Sequence, residues 1–140
     1  MGLDAYVFLS KAHLPFDADA LGAESDSDTG EYFFYDTELD RKYSLDARTT
    51  CSKRIGNIAA VAQLREEARR VLDESSVVLS KVIYSGTHCG DTLRSELFSA
   101  LERELARLRS GQPSSAMLEF IRDMEDLINA AKAEGNPIVF

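Results

Sequence analysis

Hydrophobic and polar residues alternate at the start of the chain. In residues 3–9 an apolar side chain occupies every second position, beginning with Leu3, and a period of two predicts a β-strand. The aromatic-rich residues 31–35 predict a second strand, because aromatic side chains favour a pleated surface. Residues 41–45 predict a short third strand. Together these segments indicate an N-terminal antiparallel meander.

A helical period replaces this alternation in the second half of the chain. Apolar residues recur every three or four positions in residues 57–72, 93–108 and 115–134, which predicts three amphipathic helices. Asn57 is placed to cap the first helix, and Gly135 is placed to end the third.

The third of these helices has the widest apolar stripe. We expect the stripe to be mostly core, and its two methionines also make a homodimer possible, because methionine suits adaptable contact surfaces. Residues 136–140 then predict a closing strand. The stripe comprises Met117, Phe120, Ile121, Met124, Leu127, Ile128 and Ala131.

A continuous apolar run at residues 77–84 predicts another strand, followed by a turn with two glycines and then by the second helix. Helices with a single apolar stripe need a shared apolar surface, which the strands supply. The sequence therefore predicts an α+β fold over residues 1–140: a single domain with a mostly antiparallel sheet and three amphipathic helices packed on one face.

The net charge of -8 is concentrated in one segment. Residues 12–40 contain nine acidic residues and no Lys or Arg, so the other 111 residues sum to +1. Such a field repels nucleic acid and anionic membranes but attracts a basic protein partner. The alternative is a solvated acidic loop that keeps the protein in solution. The docking surface predicted within this segment comprises Asp26, Asp28, Glu31 and Asp36.

The cysteine content and the apolar runs bear on the cellular compartment. Cys51 and Cys89 are too few for a disulfide framework, and no apolar run approaches the ~20 residues that cross a bilayer. The N-terminus lacks the basic region of a signal peptide. We therefore expect a cytoplasmic protein with free thiols.

Ionisable and polar residues crowd the turn at residues 85–91, which contains Ser85, Thr87, His88, Cys89 and Asp91. Unpaired N–H groups at a helix start attract anions, and together with a cationic imidazole they would favour a nucleophilic thiolate. Three interpretations of the turn remain open: a structural turn in which Asp91 caps the helix, a ligand-binding loop, and a catalytic thiol.

No cofactor or metal site is predicted. The acidic residues 24–31 resemble a calcium loop in composition, but in neither possible frame do glycine and glutamate fall where an EF-hand requires them. The turn at residues 85–91 also lacks the Gly-Lys-Ser/Thr ending of a phosphate-binding loop.

Three short segments carry a resemblance to other proteins. The opening Met-Gly-Leu-Asp-Ala-Tyr, the turn Ile55-Gly56-Asn57 and the segment Ser-Gly-Thr-His-Cys-Gly-Asp at residues 85–91 resemble small bacterial and phage-borne proteins that begin Met-Gly-Leu-Asp-x-Tyr. Those proteins have no assigned activity, so the resemblance implies neither a reaction nor functional residues.

The leading hypothesis is a small acidic protein without catalysis of its own, of an immunity or regulatory type, that acts by contact with a basic protein. The rival is a ligand-binding module or thiol enzyme whose site is the turn at residues 85–91.

Overall fold

A computed structural model describes all 140 residues of the chain. Its main sheet has four antiparallel strands in the order β4-β1-β6-β5. The central strands come from the two ends of the chain: β1 is Gly2–Phe8 and β6 is Ile138–Val139. The edge strands are β4 (Thr49–Asn57) and β5 (Thr92–Leu93).

Five helices accompany the sheet: α1 (Thr37–Lys42), α2 (Leu45–Arg48), α3 (Ile58–Arg69), α4 (Phe98–Ser110) and α5 (Ser115–Glu134). The long helix α5 packs on β4 and β1, with α3 and α4 beside it. Helices and sheet share one cluster of 26 buried apolar residues. The predicted α+β class is therefore confirmed. None of the helices combines the length and apolar composition needed to cross a membrane.

The sequence signals at Asn57 and Gly135 for the helix ends are also confirmed. The Asn57 side chain accepts a hydrogen bond from the Ala60 amide at 2.8 Å, and the Ser114 hydroxyl accepts one from the Met117 amide at 3.1 Å. Gly135 ends α5 in the left-handed conformation, with φ of 67°. Every residue of the predicted α5 stripe is buried within this chain.

The strand predicted at residues 77–84 is wrong. Val78–Val82 forms a turn of π-helix, and the Ile83 amide donates to the Val78 carbonyl oxygen at 2.9 Å. The Glu104 carboxylate on α4 accepts from the amides of Val77 and Val78 at 3.0 and 2.9 Å. This distant carboxylate caps the helical turn, so tertiary structure overrides the local preference of the valines for a strand.

The second predicted helix begins later than expected. Leu93 lies in β5, and a 3₁₀ turn at Ser95–Leu97 precedes the start of α4 at Phe98. Residues 85–91 therefore do not lead into a helix, and the predicted strand–turn–helix unit is wrong at both of its ends.

The predicted strand at residues 41–45 is also wrong, because the short helices α1 and α2 occupy that region. The structure has β4 instead, which the hydrophobic pattern did not indicate. The side chains of β4 that face the helices include Lys53, whose ammonium group lies 2.9 Å from Asp126 on α5. A lysine on the buried side hides the alternation that marks a strand.

A 40-residue insert, residues 9–48, connects the directly paired strands β1 and β4. It contains a separate two-stranded sheet of β2 (Glu24–Ser25) and β3 (Tyr32–Phe33). Its aromatic cluster brings Phe16, Phe34 and Tyr43 within 4.5–6.0 Å of one another, measured between ring centroids. The predicted meander is thus replaced by one strand of the main sheet and a small separate hairpin.

Candidate functional site

His88 is the centre of the turn at residues 85–91. Its side chain is 5% exposed and lies between the rings of Tyr84 and Phe140, with centroids at 4.9 and 4.7 Å. Nε2 lies 3.1 Å from the Val82 carbonyl oxygen. Because a carbonyl oxygen can only accept a hydrogen bond, Nε2 is the donor in this contact. The imidazole therefore fastens the turn to the π-helical segment and the last residue of the chain.

Asp91 is a tether and not a helix cap. Its carboxylate accepts a hydrogen bond from the Tyr84 hydroxyl, and this bond raises the pKa of Tyr84. His88 Nδ1 lies 3.2 Å from the same carboxylate but without hydrogen-bonding geometry. The Asp91 carbonyl oxygen accepts from the Phe140 amide at 2.8 Å. The residue therefore serves the closure of the turn.

Cys89 is exposed at the surface. No helix begins at this position, and neither nitrogen of His88 bonds the thiol: Nε2 bonds the Val82 carbonyl oxygen, and Nδ1 has no hydrogen-bond partner. The two features expected to activate this thiol are therefore absent.

The remaining predicted residues of the turn divide between structure and cleft. The Ser85 hydroxyl donates to the Thr87 carbonyl oxygen at 2.7 Å, which is a local turn contact. Thr87, His88 and Cys89 line an open cleft of about 520 Å³, whereas Ser85 and Asp91 do not.

The opposite wall of this cleft comes from the strands. Asp4 and Tyr6 lie on β1 and Arg54 on β4, and the Arg54 guanidinium bonds both Asp4 carboxylate oxygens at 3.1 and 2.9 Å. Burial raises the pKa of the Tyr6 hydroxyl, and the nearby acidic residues add to the effect. The cleft can thus offer a phenol, a thiol and an internally neutralised ion pair to a small ligand.

Two of the four acidic residues predicted as a docking surface shape the backbone of the insert. Asp26 accepts from the Asp28 amide at 2.8 Å and holds a turn. Asp36 caps α1 by accepting from the amides of Glu38 and Leu39.

The other two form ion pairs. Asp28 lies 3.2 Å from Arg94, and Glu31 lies 3.0 Å from Arg48. Burial raises the pKa of the Glu31 carboxyl, although Arg48 opposes the shift. All four acidic residues therefore have structural contacts within the chain, which the charge pattern did not indicate.

The predicted site residues do not include Tyr35, an aromatic residue of the same segment. Tyr35 is 78% exposed and packs edge-on against Phe33, with ring centroids 5.4 Å apart. Glu24 pairs with Phe33 across the hairpin, and Asp36 and Glu38 follow Tyr35 in the chain. We call these five residues the Tyr35 surface. The available signal was a run of four aromatics followed directly by acidic residues.

No group of three or more His, Cys, Asp and Glu side chains is arranged to hold a metal ion. No protein-family model, curated protein or solved structure matches the chain significantly. The function of the protein is therefore inferred from its own residues.

Proposed function

We propose that this protein acts in the cytoplasm by binding a basic protein partner through the Tyr35 surface, as an immunity or regulatory protein does. The observation that carries the proposal is the exposure of Tyr35 within a segment that has nine acidic residues and no Lys or Arg. Tyrosine is enriched among the residues that dominate binding energy. Its ring face attracts Lys and Arg side chains.

The charges beside Tyr35 strengthen this proposal. Glu24 and Glu38 are exposed, and neither has a cation within 4.0 Å. Each could pair with a partner's Lys or Arg without first breaking an internal ion pair. An attractive field of this kind accelerates association and is screened by salt.

The proposal is tested by capturing partner proteins from a lysate of the native host with three forms of this protein. We expect a basic protein to be retained by the wild type and by Ile58→Ala, which removes an apolar side chain exposed outside the insert, but to be lost with Tyr35→Ala. Glu24→Gln with Glu38→Gln should slow association of the purified partner. These two glutamates are better test positions than Asp26 or Asp36, whose carboxylates hold turns and caps.

Two results would count against the proposal. One is capture of the same proteins by the wild type and by Tyr35→Ala. The other is binding of the purified partner that does not weaken as the salt concentration rises above about 0.1 M, where the Debye length is about 10 Å.

A second candidate function is small-ligand binding in the cleft beside Cys89, and the volume of about 520 Å³ supports it. A fragment library titrated against the isotope-labelled protein tests this candidate. Shifts at the amides of Thr87 and Cys89 that disappear in Tyr6→Phe would favour it. If no compound of the library shifts these two amides, ligand binding in the cleft is excluded.

A further inference from the structure

A groove on the helical side of the sheet is the largest feature that neither the Tyr35 surface nor the turn at residues 85–91 uses. It has a volume of about 440 Å³ and lies between α3, the first half of α5 and the edge strand β4. Its apolar part comes from Ile55, Leu64 and Phe120, and its acidic part from Glu67, Glu119 and Asp123. Such a combination suits a ligand with an apolar stem and a cationic end.

The acidic side chains of the groove are poorly neutralised within the chain. Glu119 and Glu67 have no cation within 4.0 Å, although Glu67 accepts a hydrogen bond from the Ser114 hydroxyl. The cation nearest to Asp123 is Lys53 at 3.7 Å, and that ammonium group lies closer to Asp126, at 2.9 Å.

The one guanidinium at the groove is already engaged. Arg54 bonds both carboxylate oxygens of Asp4 on the other face of the sheet. The groove therefore keeps an excess of negative charge. Burial is the main cause that raises the pKa of the Asp123 carboxyl; Lys53 opposes the shift, and the neighbouring Glu119 and Asp126 add to it.

The third wall of the groove suggests the shape of the occupant. β4 pairs with β1 on one side and with no strand on the other. A free strand edge offers backbone hydrogen bonds to an extended segment that lies alongside it. Ile55 connects the two features, because it belongs to β4 and also lines the groove.

We propose that this groove binds an extended basic segment of a partner protein, with one Lys or Arg side chain in the groove. The stem of that side chain packs on Leu64 and Phe120, and its cation reaches Glu119 and Asp123. The site is distinct from the Tyr35 surface. None of the residues that line the groove belongs to the insert, so the two sites share no residue.

Short peptides test the proposal against the isotope-labelled full chain. The probes are acetylated, amidated pentapeptides of sequence Val-Thr-X-Thr-Val, with Lys, Arg, norleucine or Glu at the central position. We expect the Lys and Arg peptides to shift the amides of Ala60, Gln63 and Ala116. They should bind about tenfold more tightly than the norleucine peptide, and the Glu peptide should not bind.

Variants then locate the charge dependence. Glu119→Gln and Asp123→Asn should each weaken the Lys peptide several-fold, and neither removes a hydrogen bond that holds the fold. The control is Glu96→Gln. Glu96 is exposed, lies outside the groove and has no ion pair, so this variant should leave the affinity of the Lys peptide unchanged. Tyr35→Ala should also leave it unchanged, so that failure of this site and failure of the Tyr35 surface are distinguishable.

Three outcomes would overturn the proposal. The norleucine peptide could bind as tightly as the Lys peptide, which would mean a purely apolar groove. The peptide shifts could fall outside the groove or be absent at millimolar peptide. The groove amides could shift with protein concentration alone, which would make a second copy of the chain the occupant.

Discussion

Arg48 is the only charged residue among the buried residues of the chain, with 6% of its surface exposed. It lies at the end of the insert, where its guanidinium bonds Glu31 at 3.0 Å and the Tyr32 carbonyl oxygen at 3.1 Å. A buried charge is tolerated when its partners remain, and losing one partner leaves the other uncompensated. Arg48 therefore connects the acidic insert to the base of β4.

We predict that Arg48→Met lowers the free energy of unfolding by about 3 kcal/mol, because the half-buried Glu31 carboxylate loses its cation. Adding Glu31→Gln should recover about 1 kcal/mol, since the uncompensated charge is then removed. Urea unfolding of both variants measures this. Arg41→Met, at an exposed arginine without an ion pair, should change stability by less than about 0.5 kcal/mol. Equal losses at Arg48 and Arg41 would contradict the assignment.

The two cysteines should differ in reactivity because of their exposure. Cys89 is exposed, whereas Cys51 is half-buried and burial raises its pKa. We predict that the single-cysteine protein Cys51→Ser is alkylated by iodoacetamide roughly ten times faster than Cys89→Ser. His88→Gln should not slow the reaction, because the imidazole does not bond the thiol. A clear slowing at neutral pH would restore the hypothesis of an activated thiol.

At the scale of elements, the sequence predicted the parts whose side chains repeat with one period. Residues 57–72 and 115–134 follow the helical period closely, and both correspond to helices with the expected caps. The π-helical segment and β4 were missed for a common physical reason. Both contain groups whose partners lie elsewhere in the chain. Glu104 caps the π-helical segment, and in β4 the inward-facing Lys53, which pairs with Asp126, hides the alternation of a strand.

The cap supplied by Glu104 can be tested directly. We predict that Glu104→Ala lowers the free energy of unfolding by about 2 kcal/mol, because two partly buried amides lose a charged acceptor. Glu104→Gln should lose less, since its side-chain oxygen can still accept one bond. The control is Glu102→Ala on the same helix, where an exposed pair with Lys132 should be worth less than about 1 kcal/mol. Thermal unfolding of the three variants gives the comparison.

β4 also shows how an exposed sheet edge is protected. Register shifts interrupt its pairing with β1 near both ends, and Lys53 points inward between them. Bulges and inward charges discourage pairing between copies of an edge strand. The same edge remains open to a short segment whose cation suits the acidic groove, which is why the proposed occupant is a basic segment and not a second sheet.

At the scale of the whole molecule, the acidic insert and the helical core differ in how they are stabilised. The core cluster contains 26 buried apolar residues, and none of them belongs to the insert. In the insert, only Ala18 and Phe34 are buried apolar residues. Its position depends on polar contacts instead, such as the ion pair between Arg94 and Asp28.

This difference explains how much of the candidate sites the sequence could indicate. Net charge is additive along the chain, so the acidic segment was visible. Which acidic residues lack an ion pair depends on partners far away in sequence, such as Arg48 and Arg94. The sequence pattern therefore could not show it. The exposure of Tyr35 and the groove beside α5 likewise follow from packing between distant segments, which no local pattern encodes.

Glu134 provides a second polar anchor of the insert, and it should make the insert sensitive to acid. Its side chain is 6% exposed and accepts from the Ser10 amide and hydroxyl at 3.2 and 2.8 Å, with His13 Nδ1 at 2.7 Å. Burial alone would raise the pKa of Glu134, but the hydrogen bonds from His13 and Ser10 outweigh it and lower the pKa. The unfolded chain therefore binds this proton more readily than the folded chain.

The stabilisation from Glu134 is thus complete above the unfolded pKa of about 4.3 and is lost as pH falls through the lower folded value. We predict that the difference in unfolding free energy between the wild type and Glu134→Gln shrinks from about pH 5 to about pH 3. Over the same range, the insert amides of His13, Ala23 and Gly30, each bonded within the insert, should lose protection from hydrogen exchange before those of α5.

The control Glu102→Gln, at an exposed pair, should show no such convergence. A wild-type advantage over Glu134→Gln that stays constant with pH would mean that this carboxylate does not titrate with the insert. Simultaneous loss of protection in the insert and in α5 would mean that the two open as one unit.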